Sequence, residues 1–433
     1  MIPLASDKPL GRVVVAGAGV AGLAAAGALA GRCEELVIVE PDRLPGSPVE
    51  RRGVPQSRQL HNLLGRAQRH LEELFPGFTA GLDSIGAARA QIATATHVFE
   101  LGVRMPERDL GMELWSATRP AVEWLCRELL PVPEAVWLEG SRVTGVRLAD
   151  GANGLAVTGV EVSGDADRVV DADIVIDASG AGTRAASWLR GAGATPPVRL
   201  EDDVEQWYVS AVLERPAAWR TQPDFWLSFP APPSTRGALL SPLGPDHWYL
   251  SVSGRGGDPV PGDHQQMRDH VTSLPDDAIG EVLVGAAPRT EPHLYRRPTA
   301  VWRRYDHGPG SPAGFLPIGD ALGALNPLLG QGISVATWQA SLLASAADSE
   351  PTAAALTARY LQDAATPVRW AWQLGQLERR DPSEGAPRLD AAAWQRVVDA
   401  VRADPEVHRR YVRIWHLLEP SASLVDIADS IDA

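Results

Sequence analysis

Apolar positions along the chain fall into blocks of changing period, and the sharpest block comes first. Val13 to Val15 form a short β-branched run, Gly17, Gly19 and Gly22 break it as GAGVAG, an alanine-rich stretch follows, and Leu36 to Val39 lead to Glu40. That order predicts a strand, a tight turn, a helix and a second strand. Val13 to Ala30 is uncharged and about as long as a membrane span, but glycines interrupt it and no basic cluster precedes it. No membrane span is expected there.

Later blocks are read the same way. GRAQRHLEELFPG places Leu63, Leu64, Ala67, Leu71 and Leu74 on one apolar face of a helical stretch. Residues 91–115 alternate as short strands do, and Arg119 to Leu130 reads as a helix. Val136 to Ala178 holds several strand-like runs, the last of which, DADIVIDASGAG, is nearly all apolar before its turn, as a buried parallel strand should be. Between 190 and 300, EQWYVSAVLE, DFWLSF and DHWYLSVSG predict an antiparallel sheet. Phe315 to Ile318 predicts another buried strand, and from Thr352 onward the pattern is helical. The fold expected is α/β (α+β overall). A Rossmann-like domain made of 12–80, 114–188 and 299–350 interleaves with an antiparallel-sheet substrate domain of 81–113 and 189–298, followed by a C-terminal helical segment, 351–433.

Composition narrows the function. At 433 residues and 45% apolar, the chain can bury a large core. A formal charge of -14 disfavours nucleic acid and anionic membrane surfaces as partners. Cys33 and Cys126 have no metal spacing and, without a signal peptide, suggest reduced thiols in a cytoplasm. Lys8 is the only lysine, so chemistry needing a core lysine is not expected.

The first block also carries chemistry. In a strand–GxGxxG–helix–strand unit, one glycine permits the tight turn, one lets the backbone approach a pyrophosphate, and one allows helix to pack on strand. The helix start offers free N–H groups and a positive dipole end around Val20 and Ala21. Glu40 stands where an acid would accept from an adenosine ribose. A second segment, GFLPIGDALGALNPLLGQGISVATWQASLLA, moves the expectation from a dinucleotide in general to a flavin. Gly319 and Asp320 end its strand, and Gly330-Gln331-Gly332 opens a helix whose N–H groups, with Ile333, can face a flavin pyrimidine edge. Asp320 there can hold a ribityl hydroxyl.

Together these segments resemble the FAD-dependent monooxygenases of the para-hydroxybenzoate-hydroxylase-like superfamily, with its glutathione-reductase-type FAD fold, over about residues 12–345. Within it, RRGVPQSRQLHNLLGRAQRHLEELFPG resembles the actinobacterial polyene epoxidases of polyether pathways, and PVRWAWQLGQLERRDP is also similar to that group. The resemblance implies that Gly17, Gly19, Gly22 and Glu40 hold the adenosine and pyrophosphate half of FAD. It adds Arg119 and Arg58 as basic contacts and Val143 as a backbone contact to adenine. Asp320 and the loop from Pro327 to Gly332 would face the ribityl and isoalloxazine. Asp177-Ala178-Ser179-Gly180 interrupts the family's usual Asp-Gly pair, which implies that NAD(P)H serves as reductant through a separate flavin reductase. The chemistry implied is insertion of one oxygen from O₂, through a flavin C4a-hydroperoxide, into a hydrophobic secondary metabolite in natural-product biosynthesis. His61, Trp226, Trp248 and Tyr249 are candidate substrate walls, and no catalytic side chain is assigned. Alternatives are a reductase, oxidase or dehydrogenase resembling geranylgeranyl reductases, or a flavin-binding protein without turnover.

Overall fold

The computed structural model describes residues 10–429 except 153, 166, 223, 231–233, 308–310 and 378–382; Lys8 lies outside the described residues. Its centre is a five-stranded parallel sheet in the order Phe315–Pro317, Ile174–Asp177, Leu10–Ala16, Cys33–Glu40, Val136–Glu139. Val13, Val14, Val15, Ile174, Val175 and Ile176 are almost fully buried, because helices cover the sheet and parallel strands bury both faces. The helix Val20–Ala28 joins the first two strands, and the helix Gly332–Ser349 packs against it.

A three-stranded antiparallel sheet, Arg142–Gly151, Gly154–Ser163 and Arg168–Asp171, flanks this layer. The second large sheet has eight strands and is built on the antiparallel ladder His293–Arg304, Val198–Glu214, His247–Arg255, Gly237–Leu243. Its outer part departs from the expected antiparallel pattern, since Phe225–Ser228 pairs in parallel with Thr96–Glu100. Two helices in this region, His264–Thr272 and Ala278–Val282, were also not expected. His264–Thr272 starts at Asp263, whose side chain accepts the Gln266 N–H, and it buries Met267 and Val271 against the sheet.

The segment 60–74 also differs from its reading. Leu60–Leu63 is a strand paired with Glu113–Thr118, and the helix begins only at Gly65. Leu63 and Leu64 are buried as strand end and cap rather than as part of the helical face of Ala67, Leu71 and Leu74. The C-terminal region is helical as expected. Its helix Pro405–Trp415 is capped by Asp404, which accepts the Glu406 and Val407 N–H groups, and Pro405 stands in the first turn. No helix among the described residues is long and apolar enough to cross a membrane.

Candidate functional site

The glycines of the first turn are fixed by sterics. Gly17 has φ +109°, and a Cβ there would come 2.7 Å from the Ala178 carbonyl oxygen. A Cβ on Gly22 would overlap the carbonyl oxygen of Gly17, so only glycine lets this helix sit on its strand. Gly19 is the N-cap and makes no side-chain cap, which leaves the N–H groups at Val20 and Ala21 open to a ligand. A Cβ on Gly19 would meet Arg119 Nη2 and Glu123 Oε1, each at 3.7 Å. The helix start therefore looks onto a guanidinium.

Glu40 ends the second strand, 3% exposed, and its two oxygens are largely engaged. Oε2 accepts the Ala18 N–H at 2.7 Å, and Oε1 accepts from the Asp42 N–H at 3.0 Å and from Arg51 at 2.9 Å. A carboxylate has about four lone-pair positions, so one remains for a ribose hydroxyl. Arg51 was not anticipated. It also bonds Glu123 at 2.9 Å and Asp42 at 3.2 Å, and Glu123 bonds Arg119 at 2.7 Å. Burial pushes the Glu123 carboxyl up, but Arg119 and Arg51 outweigh it and hold the group below its usual range. The only sequence signal for Arg51 was its place in RRGVPQ; a loop residue has no period to reveal its partner.

The second half of the site starts where the strand Phe315–Pro317 ends. Gly319 has φ +61°, its N–H bonds Gln339 Oε1 at 2.7 Å, and a Cβ there would come 2.7 Å from the Ala21 Cβ. Asp320 follows, 3.2 Å from Arg297. Pro327–Leu329 forms a single 3₁₀ turn closed by Gly330 at φ +63°. The helix from Gly332 has no side-chain cap, so its first N–H groups, with Ile333, stand free beside Asp320. Gln331 lines the cavity, and its side chain donates to the Trp415 carbonyl at 3.0 Å and ties the C-terminal helix to this loop. Val143 lines the same cleft from the strand Arg142–Gly151.

One cavity of about 1470 Å³ joins these elements to the large sheet. His61 and Trp226 line it. The His61 Nδ1 faces the Gln59 carbonyl at 2.9 Å, so it carries the proton and Nε2 keeps its lone pair. Burial and the Arg119 charge push the imidazole down to about 3, so it is neutral at ordinary pH. Three expected residues are not at the site. Arg58 has a half-exposed side chain that pairs with Glu50 at 2.5 Å and His293 at 3.3 Å, outside the cavity, because its 3₁₀ turn faces solvent. Trp248 is fully buried on the opposite face of its strand, edge-on to Trp226 and under Arg215. Tyr249 has the inward parity, but its hydroxyl donates to the Arg58 carbonyl, and the 55–58 turn covers it. Further along the strand, Ser251 and Ser253 line the cavity instead.

Asp177, ending its strand, is completely buried and accepts from Ser179 N–H at 3.1 Å, Ser179 Oγ at 2.5 Å and Thr183 Oγ1 at 2.5 Å. It shapes the turn whose Ala178 carbonyl meets Gly17. Among the described residues there is no cluster of metal-ligating side chains.

Turns where a Cβ on Gly17, Gly22 or Gly319 would clash, two open helix starts and the buried Arg51–Glu123–Arg119 network fit a dinucleotide carrying a flavin. This arrangement is that of a Rossmann-like FAD domain. Residues 12–190 match the family of FAD dependent oxidoreductases. The chain is 26% identical over 441 residues to the protein Rv3254 of Mycobacterium tuberculosis, covering 95% of this chain and 90% of that one. A flavin-dependent brominase shares the fold with a TM-score of 0.67 at 15% identity, covering 98% of this chain and 99% of that one. A probable FAD-dependent monooxygenase from Pseudomonas aeruginosa does so with a TM-score of 0.63 at 17% identity, covering 86% of this chain and 98% of that one.

Proposed function

We propose that the protein is an FAD-dependent monooxygenase that inserts one oxygen atom of O₂ into a hydrophobic secondary metabolite, by epoxidation or hydroxylation, in natural-product biosynthesis. The observation that carries this reading is the continuity of the cavity. It runs from the phosphate cradle past the Pro327–Gly332 loop into a chamber walled by Leu64, Ile92, Leu114 and Trp226. Bound and reduced FAD would supply the activation of O₂. The chain would do the rest: Gly17 to Gly22 seat the phosphates, Asp320 faces the ribityl, and the start of the helix at Gly332 places N–H groups where negative charge develops. The apolar walls keep water from the reacting centre and align the substrate.

Two features favour oxygen transfer fed by a separate flavin reductase using NAD(P)H. Asp177 spends its oxygens on Ser179 and Thr183, which leaves the usual Asp-Gly contact unmade. Lys8 is the only lysine, so halogen transfer through a lysine would have to use that single residue ahead of the first strand. The test is turnover under ¹⁸O₂ with FAD and an added flavin reductase, against a panel of apolar polyenes and aromatics. Product gaining one ¹⁸O supports the reading; product changed by two hydrogens and no oxygen would make the enzyme a dehydrogenase.

A further inference from the structure

The C-terminal helix brings one group into the chamber that the flavin cradle does not explain. His416 follows the helix Pro405–Trp415 directly and is 7% exposed. Its place is set on three sides. The Gly65 N–H donates to Nδ1 at 2.9 Å, the preceding carbonyl of Trp415 accepts from Gln331 at 3.0 Å, and the following carbonyl of Leu417 accepts from Arg66 at 2.7 Å. Arg66 is itself held with its guanidinium 4.1 Å above the Trp338 ring. The imidazole therefore sits between the start of one helix and the loop that opens another.

The tautomer follows from the Gly65 bond. A backbone N–H can only donate, so Nδ1 must present a lone pair, and the proton of the neutral ring is on Nε2. Burial pushes the group down to about 4, so this neutral form persists through the physiological range. The residue lines the chamber, and Nε2 has no hydrogen-bond partner among the described residues. The Nε2–H is therefore open to an acceptor on a ligand in the chamber. The surrounding walls, Leu64, Leu114, Val412 and Ile92, are apolar. His61, which also lines the cavity, is fixed in the opposite tautomer and offers a lone pair.

We propose that His416 is a specificity-determining substrate ligand, whose Nε2–H donates to an oxygen atom, hydroxyl or carbonyl, on an otherwise apolar substrate. The proposal rests on the oxygenase reading only for the word substrate; the binding site stands on its own geometry. It restricts the substrate class from any hydrocarbon chain to an oxygenated ring or polyene.

The test is equilibrium dialysis of the FAD-loaded protein with 2-naphthol and with naphthalene, for the wild type, His416→Asn and His416→Gln. Asparagine keeps an acceptor where Nδ1 meets Gly65 but removes the donor at the Nε2 position. Glutamine carries an amide N–H out to that position while losing the Gly65 bond. The wild type should bind 2-naphthol at least tenfold more tightly than naphthalene. H416N should bring the ratio close to one with naphthalene binding unchanged, and H416Q should retain most of it. A merely structural histidine would give the reverse order, with H416Q the more damaged in both ligands. Equal binding of the two ligands by the wild type, binding of neither, or a ratio preserved in H416N would overturn the proposal. Failure of the oxygenase reading is seen separately, as absence of ¹⁸O in product while the binding ratio persists.

Discussion

At the scale of single residues, the cradle depends on charges that are buried together. Arg51, with a side chain 9% exposed, serves Glu40, Asp42 and Glu123 at once, and Glu40 and Glu123 are more buried still. Removing the cation leaves Glu40 with backbone N–H donors only and Glu123 with Arg119 as its one cation in a low-dielectric site, which is costlier than losing the pair whole. Arg51→Met should therefore lower the unfolding free energy by about 3 kcal/mol, read as a shift of the denaturant midpoint at unchanged m-value. A change below about 0.5 kcal/mol, typical of surface substitutions, would show that the network is solvated. Arg119 was legible only through the family resemblance, at the start of the TRPAVEWLCREL helix, where Thr118 accepts the Ala121 N–H. Arg51 was not, because a loop arginine is placed by tertiary contacts alone.

At the scale of elements, strand parity separates what builds the chamber from what builds the core. On His247–Arg255, Trp248, Leu250 and Val252 pack into the cluster behind the sheet, whereas Ser251 and Ser253 face the cavity. Alternation in DHWYLSVSG announced a strand with two faces but did not say which face was inward. Of the three aromatics expected there, only Trp226 lines the chamber, stacked on His97 with ring centroids 5.2 Å apart. Trp248→Ala should cost about 3–5 kcal/mol of stability, as large-to-small core changes do, and leave FAD affinity unchanged. Loss of FAD affinity without loss of stability would put Trp248 at the site. The parallel sheet and both glycine-rich helix starts were readable because sterics demand their residues locally. Chamber walls come from strands and helices far apart in sequence, and the C-terminal helix supplied His416 with no motif to mark it.

At the scale of the whole molecule, the described fold holds its histidines in different states, and this sets its acid limit. Burial pushes His408 and His416 down to about 4, and they are 2% and 7% exposed. The unfolded chain protonates each near pH 6.5, while the native state resists until about 4. Stability is thus fully present above pH 6.5 and falls as pH drops, by about 2 kcal/mol per residue at pH 5. Denaturant melts of the wild type and of His408→Gln should converge as pH falls from 7 to 5. Parallel curves would mean that His408 titrates normally in the native state.

The two glycine-rich helix starts and the acid-ended strands are proposed to form one FAD site. Titration of the purified chain with FAD, followed by visible absorbance and repeated on Gly22→Val, tests it most directly. The wild type should saturate at one FAD per chain with a resolved flavin band, and G22V, whose side chain has no room against the Gly17 carbonyl, should lose that binding. No binding by the wild type, or equal binding by the variant, would contradict it.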